Sequence, residues 1–134
     1  MRHIQQPEGS NMCGQAVVAM LGNMTIYEAI ELVGTEGCTT TKVIAEALRA
    51  LGFKCRNRLK RVSKFRALPK LCIVSVGFDG DNGSWGSHWI IWNGKEQLFY
   101  DPRHLYPVDE EFYYEVSGRI TSYLEIKNKS ALDK

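Results

Sequence analysis

The sequence predicts an α+β protein in which N-terminal helices pack on an antiparallel β-sheet. Apolar residues recur at helical spacing as far as Gly52 and at strand spacing from Phe53 onward. An Asn93-Gly94 pair between two apolar runs marks a hairpin, which joins antiparallel strands. Helices first and antiparallel strands after is the order of an α+β chain, not of alternating β-α units. The 134 residues read as one domain, 1–134. A chain of this length buries roughly two-thirds of the surface its unfolded form exposes.

The first helix is expected to start near Asn11 or Met12 and to run to Gly22. Residues 15–21, QAVVAML, are apolar nearly all round, which suits an enclosed central helix. Thr25 and Glu28 stand at capping-box spacing, Ile26, Tyr27, Ile30 and Val33 form an apolar stripe, and Gly34 stops that second helix. A third follows the threonines at 39–41, carries Val43, Ile44, Ala47, Leu48 and Leu51, and ends at Gly52. LCIVSVGF (71–78) reads as a buried strand and DGDNGSWGS (79–87) as a loop. HWIIW (88–92) and QLFYDP (97–102) are the hairpin strands, and FYYEV (112–116) and RITSYLEI (119–126) read as two more.

Composition excludes several classes. No apolar run approaches the roughly 18 residues of a membrane span. MRHIQQPEGS has no apolar stretch behind its basic residue, so no secretory signal is expected and the location is expected to be cytoplasmic. Cys13, Cys38, Cys55 and Cys72 are spread without a C-x-x-C pair, which suits free thiols better than a zinc site or a disulfide framework. Cys38, Cys55 and Cys72 read as structural, and His3 and His104 as surface residues.

Charge is uneven. Residues 54–70 hold eight of the seventeen basic residues and no acid. Lys54, Arg56, Arg58 and Lys60 alternate and are expected to line one face of a strand. Such a stripe suits an acidic partner or a solvated edge that discourages unwanted pairing. Nucleic acid is disfavoured, because no recognition motif accompanies the charge.

The chemistry gathers elsewhere. Cys13 opens the first helix, where the backbone favours a thiolate. His88 opens one hairpin strand and Asp101 closes the other. A two-residue loop puts His88 opposite Phe99 with Asp101 diagonal to it, and a four-residue loop over Asn93–Glu96 puts it opposite Asp101. Either even loop leaves both side chains on one face, because strand side chains alternate. A carboxylate on one imidazole nitrogen frees the other to face a thiol. The Cys13 N–H and a side-chain amide upstream, Gln5 or Gln6, are candidate oxyanion donors. Gly14 removes a side chain beside the nucleophile and is expected to let a substrate approach the backbone, and Trp85, Ser87 and Trp89 flank His88 as further candidate substrate contacts.

Gln, then Cys-Gly opening an apolar helix, then Ser-His-Trp and Tyr-Asp-Pro resembles a papain-like cysteine peptidase. Within that group it is most similar to the small bacterial type related to double-glycine leader peptidase domains. The resemblance runs from Gln5 to Pro102 and implies a papain-like fold. It implies Cys13 as nucleophile, His88 as general base and acid, and Asp101 as orienting carboxylate, with Gln6 or Gln5 as oxyanion donor. The family's glutamine often stands six residues before the cysteine, a position held here by Pro7, so the choice between Gln5 and Gln6 stays open. The implied activity is hydrolysis of a peptide or protein amide without metal or organic cofactor. Two alternatives stand beside it: a side-chain deamidase or transglutaminase-like enzyme, and a non-catalytic module binding an acidic partner through residues 54–70.

Overall fold

The computed structural model describes residues 1–62, 68–79, 85–116 and 119–127. Helices α1 (Cys13–Gly22), α2 (Ile26–Val33) and α3 (Thr41–Ala50) come first. Strands β1 (Lys60–Arg61), β2 (Leu71–Asp79), β3 (Trp85–Asn93) and β4 (Leu98–Tyr100) follow, then α4 (Glu110–Val116) and β5 (Arg119–Glu125). The protein is α+β, and its sheet is antiparallel with the order β1-β5-β2-β3-β4.

The helix ends follow the expected chemistry. The Thr25 hydroxyl accepts from the Glu28 N–H at 3.1 Å and the Glu28 carboxylate accepts from the Thr25 N–H at 3.1 Å, closing the capping box of α2. Gly34 leaves that helix at φ +91°, where a side chain is strained. Thr40 caps α3, its hydroxyl accepting from the Val43 N–H at 3.3 Å. Residues Gly14 to Leu21 of α1 are all buried, as an apolar circumference requires.

Side-chain alternation sorts the sheet into two cores. Ile73, Ile91, Tyr100 and Leu124 face α1–α3, meeting Val17, Leu21, Ile44 and Leu48. Cys72, Val74, Ile90, Trp92 and Phe99 face the other way and meet Val108 and Tyr113 of the α4 side. Phe99 lies between Trp92 (centroids 4.6 Å) and Tyr113 (4.7 Å).

Four expectations need correction. FYYEV is not a strand but the body of α4: the Asp109 carboxylate accepts from the Phe112 N–H at 2.9 Å, and Glu110 and Glu111 occupy the first turn. The expected loop 79–87 is shorter, since Asp79 ends β2 and β3 begins at Trp85, paired with it; residues 80–84 lie outside the described residues. The stretch 54–60 is not one strand. Lys54 makes an isolated bridge to Lys127, and pairing resumes only at Lys60 and Arg61. Lys64 and Arg66 lie outside the described residues.

The hairpin register is the fourth. The loop has four residues, but they are 94–97, with Asn93 paired to Leu98 and Ile91 to Tyr100. The Asn93 side chain sets that loop by accepting from the N–H groups of Lys95 (3.1 Å) and Glu96 (3.2 Å). Gly94 is required there: a Cβ would stand 2.8 Å from the Lys70 carbonyl oxygen, which accepts the Gly94 N–H. The shift is two residues from the four-residue-loop pairing and four from the two-residue one, even in both cases, so His88 and Asp101 keep a common face.

Candidate active site

Short β4 creates the site. Along β3 it pairs with Ile91–Asn93 alone and leaves the edge from His88 to Ile90 without a strand partner among the described residues. Asp101 continues the chain past β4 on the face of Phe99, and His88 projects from the same face as Ile90 and Trp92. The His88 Nε2–H donates to Asp101 Oδ1 at 2.6 Å, and both side chains are 3% exposed. Asp101 Oδ1 also accepts the Arg103 N–H at 2.8 Å, and His104 Nε2 stands 3.9 Å from Oδ2.

Cys13 comes from the other side of the sheet, at the first position of α1, and is half-buried. With Nε2 committed to Asp101, Nδ1 is the ring atom left for the thiol. It is buried and makes no fully aligned hydrogen bond among the described residues. Loose thiol–imidazole geometry is usual before substrate tightens such a pair.

The electrostatics agree in direction. Burial pushes the Cys13 thiol up, but contact with the His88 ring and its charge, the Trp89 N–H and the Arg103 guanidinium outweigh it and hold the thiol below its ordinary value. Burial pushes His88 down, and the Asp101 hydrogen bond, the Cys13 contact and the negative charge of both leave it raised. Burial likewise opposes ionisation of Asp101, yet His88, the Arg103 N–H and the His104 charge keep it lowered. These shifts favour a thiolate beside an imidazolium beside a carboxylate. By contrast Cys72, buried in the sheet, is pushed strongly up by desolvation and by the Glu125 charge, as an inert thiol should be.

The two glutamines separate. Gln5 is exposed. Gln6 is 9% exposed; its N–H donates to the Pro102 carbonyl at 2.8 Å, which ties the N-terminal segment beside Asp101. Its Nε2 donates to the Ser10 carbonyl at 2.8 Å, whereas Oε1 is buried without a partner among the described residues. Gln6 is therefore the glutamine whose main chain is tied beside Asp101 and whose side chain is buried.

Gly14 is buried, and the room left by its missing side chain is taken by Thr39: a Cβ would lie 2.1 Å from Thr39 Oγ1. The glycine thus admits the loop before α3 and not an open approach to the backbone. Gln15, fully buried, anchors that loop by donating to the carbonyls of Thr35 (2.7 Å) and Gly37 (2.9 Å). Cys38 in this loop is exposed, against its structural reading. Trp89 is half-buried against the helical core and offers its N–H to Cys13. Trp85 and Ser87 are placed by their backbone in β3, and their side chains lie outside the described part of the structure.

Three residues beside the site escaped the sequence. His3 and His104 are not surface residues but half-buried, the His3 Nε2–H donating to the His104 carbonyl at 2.7 Å. Arg103 contributes both its N–H and its charge. The signal was the Asp-Pro-Arg-His run itself, a turn in which the His104 N–H donates to the Asp101 carbonyl at 2.9 Å and folds the chain back over the carboxylate.

Among the described residues no group of three His, Cys, Asp or Glu side chains converges as a metal site would need. No single described helix is long and apolar enough to cross a membrane. No family model and no curated protein matches the chain.

Proposed function

We propose that the protein is a papain-like thiol hydrolase of the small bacterial type that resembles double-glycine leader peptidase domains, cleaving a peptide or protein amide. The observation that carries this reading is the buried 2.6 Å His88–Asp101 bond, with the free ring nitrogen left to a lowered thiol at a helix start. The thiolate of Cys13 attacks the carbonyl carbon, and a carbon–sulfur bond forms as the carbonyl electrons move to oxygen. The Cys13 N–H, without an intrahelical partner at the first position of α1, donates to that oxyanion, aided by Gln6 once its Nε2 turns from Ser10. The imidazolium of His88 gives its proton to the departing amine as the carbon–nitrogen bond breaks. His88, now neutral, removes a proton from water, whose oxygen displaces Cys13 from the thioester. Asp101 holds the ring in one tautomer throughout.

The test is incubation of the protein with a proteome-derived peptide library, read by mass spectrometry, beside Cys13→Ala. New peptide termini made by the wild type alone support the hydrolase. Conversion of Gln to Glu without new termini assigns the same site to a deamidase. No Cys13-dependent product of either kind overturns thiol hydrolysis.

A further inference from the structure

The basic segment plays no part in the proposed chemistry and lies at the far edge of the sheet, since β1 and β4 are its two outer strands. Lys54 pairs with Lys127 and Lys60 with Tyr123. Six steps along the basic segment thus run beside only four along β5 and its continuation, and the two extra residues bow the segment outward. Arg49 braces the bow: its guanidinium donates to the Cys55 carbonyl at 3.1 Å and to Asn57 Oδ1 at 2.6 Å. Between the bow and β5 lies a groove of about 380 Å³. Five cations line it: Lys54, Arg56, Arg58, Lys60 and Lys127, all exposed. Lys127 stands 3.9 Å from Glu125, but among the described residues the other four have no ion-pair partner.

We propose that this groove binds an acidic peptide segment of a protein partner. Two arginines and two lysines, none of them ion-paired among the described residues, converge on one small concavity that holds a single carboxylate, Glu125, among those residues, and an arginine fork takes a carboxylate through two parallel hydrogen bonds. The floor suits a peptide: the Leu124 side chain is turned into the core, so that residue offers its main chain, and the groove adjoins an outer strand of the sheet. A nucleic-acid strand needs a longer phosphate track and a row of stacking rings, whereas this groove is compact, has Tyr123 as its one lining aromatic among the described residues and carries Glu125 in its wall. Binding here does not depend on the thiol chemistry.

The test is fluorescence anisotropy of a labelled oligoglutamate peptide with the full chain. Arg56→Glu/Arg58→Glu is expected to weaken binding by about tenfold or more, because two attractions become repulsions. Lys42→Glu/Lys70→Glu changes net charge equally at exposed sites outside the groove and is expected to stay within about twofold at physiological salt. Unchanged thermal unfolding of both variants shows that the fold persists. The proposal fails if the wild type does not bind the peptide, if the control weakens binding as much as the groove variant, or if oligothymidylate binds more tightly than oligoglutamate.

Discussion

Asp101→Asn isolates the charge in the proposed triad from its geometry. Asp101 Oδ1 accepts from both His88 Nε2 and the Arg103 N–H. An amide oxygen in its place keeps both bonds, and the new NH2 takes the place of Oδ2. Only the negative charge is lost. A hydrogen bond to a charged group contributes about 1.5–3 kcal/mol against roughly 1 for a neutral one, so about 0.5–2 kcal/mol of stabilisation of the imidazolium disappears. At 1.36 kcal/mol per pH unit this lowers the His88 midpoint by about 0.4–1.5 units, and burial then pushes the ring further toward its neutral form. The assay is an NMR titration of the His88 ring in both proteins. A midpoint that stays within a few tenths of the wild-type value would refute the argument that the buried carboxylate raises His88.

The pH dependence of the proposed hydrolysis has a fixed sense. The active ion pair needs Cys13 without its proton and His88 with it, so the rate rises as Cys13 ionises, below the ordinary thiol range, and falls as His88 loses its proton, above the ordinary imidazole value of about 6.5. The two limbs belong to the coupled pair, and Asp101→Asn moves the falling limb to lower pH. A single rising limb centred on the ordinary thiol value would contradict the pair. Gly14→Ala drives a Cβ to 2.1 Å from Thr39 Oγ1 and is expected to cost about 1–3 kcal/mol in chemical denaturation, with partial recovery in Gly14→Ala/Thr39→Ala. Full stability of the single variant would show that the Thr39 loop is not seated there. Gln6→Ala is expected to reduce turnover by about a hundredfold or more, as loss of one oxyanion donor does, while exposed Gln5→Ala stays near the wild type. Equal effects at the two positions would remove Gln6 from the site.

Local chemistry was legible wherever one residue type decides the outcome. The Thr25 and Glu28 capping box, the Thr40 cap and the apolar circumference of α1 all stand where their side chains require. The common face of His88 and Asp101 was legible because parity survives any even shift of register. The register itself was not, since it depends on Asn93 capping its own loop. FYYEV misled because aromatic residues favour strands, and the Asp-Glu-Glu run that starts a helix sits just before it. Charge alternation over 54–60 suggested a straight strand, but the Arg49 brace is long-range and invisible in the local pattern. The nearness of Gln6, His104 and Thr39 to the site arises from how three loops close over one another, which no periodicity encodes.

Everything proposed for this site rests on a thiolate–imidazolium pair between Cys13 and His88, and alkylation reads that pair without any substrate. The rate of iodoacetamide reaction at each of the four cysteines is followed against pH by peptide mass spectrometry, in the wild type and in His88→Ala. Cys13 is expected to react at a pH well below that at which exposed Cys38 reacts, and His88→Ala is expected to abolish the difference. A Cys13 profile that matches Cys38, or one that His88→Ala leaves unchanged, contradicts the pair.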